Sequence, residues 1–185
     1  MKIPLIIGLV LLTACRENPI PKPYGYFRVD LPENHYQHCD TILPFSFDYA
    51  SSSILILKMD VKEKNWIDIY YPHMNATIHC SYSEVKNNIK MLSKGADELV
   101  RKHAIKADEI REQFFSNPEN RVYGNYYDIL GNTASAAQFY LTDSIRHFFR
   151  GSVYFNHVPN KDSIGPMANY IRRDVIRLME SFQWK

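Results

Sequence analysis

From Val122 to Phe155 the sequence offers three strand-like runs with only turns between them. Val122 to Leu130, Ala134 to Leu141 and Arg146 to Phe155 are rich in Tyr, Phe, Val and Ile, which suit a pleated, half-buried surface. Gly131-Asn132 is a two-residue hairpin signal, and Thr142-Asp143-Ser144 turns the chain again. Parallel neighbours need a crossover of about a dozen residues. Connections this short therefore restrict the stretch to an antiparallel meander. Gly151, inside the third run, is expected to mark a bulge.

Two other stretches carry a helical period. Val85, Ile89, Leu92, Ala96, Leu99 and His103 recur every three or four residues behind Ser81-Tyr82-Ser83-Glu84, which fits a capping box. Gly95 inside this helix is expected to mark close packing. Lys86, Lys90 and Lys94 form a basic stripe on its other face, taken as solvated rather than as a contact for lipid headgroups. The last helix presents Ile164, Met167, Ile171, Val175, Leu178 and Phe182 on one face, with Asp162 or Ser163 as its cap and Pro166 in its first turn. Phe182 to Trp184 is expected to pack back on the sheet.

The earlier part of the chain is read as strands and loops. Tyr24 to Asp30 reads as a first strand and Pro32 to Cys39 as loop. Pro44 to Tyr49, with Phe45 and Phe47 on one face, Ser53 to Met59, and Asn75 to Ser81 read as extended. Trp66 to Tyr71 is partly apolar on both faces, which suggests a central strand ended by Pro72. Ala107 to Phe115 is assigned to a strand rather than to continued helix, and Asn117 to Asn120 to a turn. The fold class is α+β: an antiparallel sheet with helices packed on its faces, in a single domain over 24–185.

The start of the chain addresses it to an envelope. Lys2, an apolar run from Ile3 to Leu12, and Leu12-Thr13-Ala14-Cys15 have the form of a secretory signal ending in a lipobox. The run is too short to cross a bilayer, which takes roughly 20 residues. Residues 1–14 are the expected signal peptide, cleaved between Ala14 and Cys15, with Cys15 as the lipidated residue. Residues 15–23 are a tether. Pro19, Pro21 and Pro23 hold it extended, and at about 3.1 Å per residue it reaches roughly 25 Å. Of 22 Lys+Arg and 20 Asp+Glu, cleavage removes Lys2 alone and leaves 21 − 20 = +1. That balance gives no reason to invoke nucleic acid as a partner.

Side chains that could carry chemistry are scattered. Cys39 and Cys80 are a candidate disulfide in an oxidising compartment, though two unpaired thiols are the favoured reading; no CxxC occurs. His35, His38 and Cys39 fall within five residues, but no second cluster has metal spacing, so neither metal nor cofactor is expected. His73 and His79 would share a face of a regular strand. His79 and Cys80 would point apart, against a local dyad. His147 and His157 are assigned to packing or hydrogen bonding. There is no GxSxG elbow, Walker A loop or GxGxxG, and Asp108, Glu109 and Glu112 form no isolated carboxylate pair. With 13 Tyr and 10 Phe, the chain holds more aromatic residues than a core needs, and Tyr123, Tyr126, Tyr127, Phe139, Tyr140, Phe148, Phe149, Tyr154 and Phe155 could supply a binding surface. A small envelope hydrolase and a hydrophobic-ligand carrier stand as alternatives to a non-catalytic module.

Several segments together resemble the gliding motility lipoprotein family GldD of the Bacteroidetes. They are Pro21 to Arg28, Lys102 to Asp108, Val122-Tyr123-Gly124, Gly131 to Ser135, Gln138 to Ser144, Arg150-Gly151 with Tyr154-Phe155, Pro159 to Ser163, and Ser181 to Lys185. The resemblance implies an accessory envelope protein of gliding and of the linked type IX secretion machinery. Membrane and machinery proteins would be its partners, and it would have no known small-molecule substrate. Of the family's functional positions only Cys15 carries over. A looser, architectural resemblance is to the Mog1/PsbP-type fold, whose members are mostly assembly or binding modules.

Overall fold

The meander at the C-terminal half is the middle of a seven-stranded antiparallel sheet. A computed structural model describes residues 30–58, 64–102, 104–156 and 161–185. The signal peptide, Cys15, the tether, His103 and His157 lie outside the described residues, as does all but Asp30 of the strand expected at Tyr24 to Asp30. The sheet has the order β3-β4-β5-β9-β8-β7-β6. Its strands are β3 (Ile54–Leu57), β4 (Ile67–Tyr71), β5 (Ala76–Glu84), β6 (Ala107–Asn117), β7 (Val122–Gly131), β8 (Ser135–Thr142) and β9 (His147–Phe155). A smaller sheet joins β1 (Tyr36–Cys39), β2 (Phe45–Ala50) and β10 (Gln183–Trp184) in the order β1-β2-β10. The helices are α1 (Ile89–Arg101) and α2 (Lys161–Ser181).

Strand alternation sends neighbouring side chains to opposite faces, and here each face meets its own helix. Tyr126 packs in the main core with Ile171, Val175 and Leu178 of α2, whereas Tyr127 packs with Val100 of α1. In β9, Phe149 and Val153 join the α2 side, while Phe148 stacks on Tyr140, which lies against the α1 cluster. Strand β2 shares the α2 side. Phe45 and Phe47 are fully buried against Phe149 and Phe182, with ring centroids 4.8 to 6.4 Å apart. Burying each such ring stabilises the fold by about 1.5–3 kcal/mol. Trp184 then folds back through β10, whose Trp184 pairs with Phe45.

Several expectations give way to longer-range pairing. The stretch Pro32 to Cys39 is not all loop, since Tyr36–Cys39 finds a partner in β2. Ser81 to Glu84 do not cap a helix. They extend β5, and the ladder to β9 runs as far as Glu84 opposite His147. Hydrogen bonds on a paired strand outcompete a local cap, so the helix starts only at Ile89, after Asn87 turns the chain at φ 59°. Lys86 thus precedes the helix, and the basic stripe shortens to Lys90 and Lys94. Gly131-Asn132 is not a two-residue hairpin. Pairing of β7 with β8 stops at Asp128 opposite Ala137, while Gly131, at φ 117°, still pairs with Ala107 of β6.

Two glycines and a proline differ from the sequence reading for steric reasons. Gly151 is not a bulge but a regular β9 position opposite Cys80 and Phe139. The Phe139 ring lies over it, and a Cβ there would fall 2.3 Å from the ring carbon Cε1. Gly95 marks no close packing, because a Cβ there would meet nothing within 4 Å. Pro166 lies in the second turn of α2 instead of the first, because the helix begins at Lys161.

Candidate functional site

The sheet face opposite α2 is covered by α1 over β8 and β9, and elsewhere it carries a polar row. Asp68 of β4, His79 of β5, Ser152 of β9 and Gln138 of β8 are successive cross-strand partners. Asp68, His79 and Ser152 border a concavity of about 380 Å³, whose walls include Trp66, Arg150 and Tyr154. The Asp68 carboxylate is spoken for on both oxygens. Lys58 Nζ lies 2.7 Å from Oδ2, and His79 Nδ1 lies 2.8 Å from Oδ1. Arg150 is half-buried. Its Nη2 donates to Ser152 Oγ at 3.1 Å and to Gln138 Oε1 at 3.4 Å. Burial pushes the guanidinium below its usual pKa, since the charged form loses water. Among the described residues no carboxylate pairs with Arg150. Gln138 is 1% exposed, and its Nε2 has no partner.

Two further concavities have structural explanations. One, of about 290 Å³, lies where the loop after β7 meets α2 and is lined by Asp108, Gly131 and Arg172. Arg172 clips helix to sheet. Its Nη2 donates to the Ile129 and Ala136 carbonyls at 3.1 and 3.3 Å, and its Nε lies 2.6 Å from Asp128 Oδ1. That last contact is close but too bent for a hydrogen bond, so charge holds it. The other, of about 510 Å³, opens beside the C-terminal strand and is lined by Arg121, Arg146 and Lys185. His147 stacks on Trp184 there, at 5.0 Å, with its Nδ1 2.7 Å from the Tyr82 hydroxyl. Burial raises the Asp143 carboxyl, but backbone N–H bonds from His147, Arg146 and Ile145 outweigh it and leave it below the usual range.

Among the described residues the most deeply placed carboxylate is Asp174 on α2, 2% exposed. Tyr36 and Tyr71 each donate a phenol proton to it at 3.0 Å. Burial pushes its carboxyl up, against the two phenols. Burial and the Asp174 charge push Tyr36 to about 12. This triad ties β1, β4 and α2 together.

The structure disperses most of the side chains singled out in the sequence. Cys39 and Cys80 are both free and buried, so the candidate disulfide is not formed. Strand β1 turns Cys39 inward and His38 outward, where it meets Asp48 at 2.8 Å, while His35 pairs with Glu33. Among the described residues no three of His, Cys, Asp and Glu gather at metal-binding distance. His73 lies in a 3₁₀ turn, Pro72–Met74, so it does not share a strand face with His79. Glu109 is taken up by Arg111 at 2.7 Å and Glu112 by Asn125 at 2.5 Å. The nine aromatics form no exposed surface, since Tyr126, Tyr127, Phe139, Phe148 and Phe149 are buried and the others half-buried. The sequence reading missed Arg150, Asp68 and Gln138. Asp68 and Arg150 stand out as charges within mostly apolar strands, but only the register shows that they share a face with Gln138.

Taken together, these features define a small α+β domain, an antiparallel sheet with a helix on each face and polar concavities at its surface. The chain belongs to the gliding motility lipoprotein GldD family, whose model matches residues 16–184. No match was found among curated proteins. The solution structure of cyanobacterial PsbP (CyanoP) from Synechocystis sp. PCC 6803 is similar, with a TM-score of 0.48 and 10% identity over 84% of this chain and 95% of that one. Among the described residues no helix is long and apolar enough to cross a membrane.

Proposed function

We propose that this chain is a non-catalytic component of the gliding apparatus and of the linked type IX secretion machinery. It is held to a membrane by lipid on Cys15, with its domain, over 24–185, in the periplasm. Removal of residues 1–14 frees Cys15 for acylation, and residues 15–23 set the domain off from the bilayer. Several acyl chains anchor stably where one does not. The observation that carries this reading is the family match, which begins at residue 16, directly after the lipobox Cys15. The hydrogen bonding of the carboxylates supports the non-catalytic part. Asp174, whose carboxyl is pushed up, accepts hydrogen bonds that join β1, β4 and α2, and Asp143, whose carboxyl is held down, caps the turn before β9.

Deletion of the gene is expected to stop gliding and type IX secretion together, and Cys15→Ser to release the domain from the membrane fraction. Mass spectrometry of the native protein is expected to find a diacylglyceryl, N-acylated Cys15 as the first residue. A freely soluble native product, or secretion that persists in the deletion strain, rejects the assignment.

A further inference from the structure

We propose that the concavity on the open sheet face binds a small carboxylated sugar, with Arg150 receiving the carboxylate. The inference rests on this site alone and does not depend on the role in gliding.

Charge supports the anion. Among the described residues lining the concavity, Lys58 and Arg150 are positive and Asp68 negative, so one positive charge is in excess before His79 is counted. Asp68 is already committed to Lys58 and His79, which leaves Arg150 with no counter-charge among the described residues. Leaving a cation half out of water with no opposite charge beside it is costly. Ser152 and Gln138 hold Nη2 and so fix the plane of the guanidinium, while Nε and Nη1 make no hydrogen bond to a described residue. An arginine fixed in plane with free N–H groups is suited to a carboxylate. Gln138, 1% exposed, lies outside the concavity, and its part is to hold the guanidinium through Oε1.

The walls support the sugar. Trp66 and Tyr154 bring ring surface to the concavity, and Ser81 brings a hydroxyl beside it. Trp66 is anchored by its Nε1 bond to the Tyr82 carbonyl at 3.1 Å. A volume of about 380 Å³ has room for one pyranose with its water. Polar groups placed around aromatic walls match a hydroxyl-rich ring better than an acyl chain, which would leave Arg150 and Asp68 facing hydrocarbon.

Calorimetric titration of the full chain carrying Cys15→Ser tests this with four probes: glucuronate, glucose, acetate and inorganic phosphate. Glucuronate is expected to bind with a Kd of about 1 mM, acetate at least about tenfold more weakly, and glucose and phosphate not measurably. Arg150→Met is expected to weaken glucuronate at least tenfold while the chain still unfolds cooperatively, at a midpoint lowered by the loss of the donor to the buried Gln138 Oε1. Ser81→Ala, which removes a hydroxyl at the position opposite Arg150 on β5 and leaves the guanidinium in place, is expected to weaken glucuronate but not acetate. No heat with glucuronate, equal binding of glucose, preferential binding of phosphate, or an Arg150→Met chain that keeps its glucuronate affinity each overturns the proposal.

Discussion

His79 faces Asp68 across the β4–β5 ladder, with Nδ1 2.8 Å from Oδ1. Lys58 closes on the other oxygen from the end of β3. The Asp68 side chain is 12% exposed, whereas His79 and Lys58 are 52% and 36% exposed. Removing the carboxylate therefore leaves two donors that water can reach rather than stranding them. Asp68→Ala is expected to lower stability by about 1 kcal/mol, a fall of about 2–4 °C in thermal midpoint by circular dichroism. A loss several times larger would mean that the carboxylate carries more than these two contacts.

Three glycines separate conformational freedom from space. At Gly124 a Cβ would lie 1.8 Å from the Tyr140 carbonyl oxygen, and at Gly151 2.3 Å from the Phe139 ring. At Gly95 it would meet nothing. Gly95→Ala is expected to stabilise the protein by about 0.5–1 kcal/mol through helix propensity alone. Gly151→Ala is expected to cost about 1–3 kcal/mol through overpacking. Gly124→Ala should cost more, because backbone rather than a side chain must move. Urea titration of the three variants checks the order, and equal effects at Gly95 and Gly151 would contradict it.

The same positions show how far the sequence was legible. Periodicity located α2, β7, β8 and β9 because their apolar sets face a buried layer along most of their length. It misplaced the start of α1 because Ser81 to Glu84 satisfy a capping pattern locally, and only β9, more than sixty residues away, decides that they are strand. Gly151 and Gly95 look alike in sequence, and what distinguishes them is the ring of Phe139, a tertiary neighbour. The polar row was illegible for a similar reason. Asp68, His79, Gln138 and Ser152 come from four strands, and only the register places them side by side.

Asp174 makes the docking of α2 depend on pH. Its carboxyl is raised in the folded state, so its contribution to stability is fully present below the unfolded value near 3.9 and is lost as pH rises through the folded value. Relative to Asp174→Asn, the native protein should therefore be most stable in acid and lose ground toward neutrality. Tyr36 acts in the same sense at the alkaline end. Raised to about 12, its contribution is intact below about 10 and disappears as pH rises through that folded value. Chemical denaturation of native and Asp174→Asn chains across the acid range tests the first statement, and a difference that stays flat with pH refutes it.

Arg172 carries the connection between α2 and the end of β7, and its geometry predicts that no other cation will replace it. One guanidinium meets the Asp128 carboxylate, two main-chain carbonyls and, through Nη1 at 2.8 Å, Asn169 Oδ1. These acceptors lie in different directions around a planar group, so a lysine ammonium on a flexible stem can reach one or two of them at most. Arg172 and Asp128 are 15% and 18% exposed, enough water to temper the full cost of breaking a buried pair. Arg172→Ala is accordingly expected to cost about 2–3 kcal/mol, and Arg172→Lys to recover less than half of it. Because the carbonyls of Ile129 and Ala136 lose their donor, hydrogen exchange should quicken in the segment 129–136 while β5 and β9 keep their protection. If Arg172→Lys restored full stability, the clip would be a simple charge pair, and the carbonyl bonds would count for nothing.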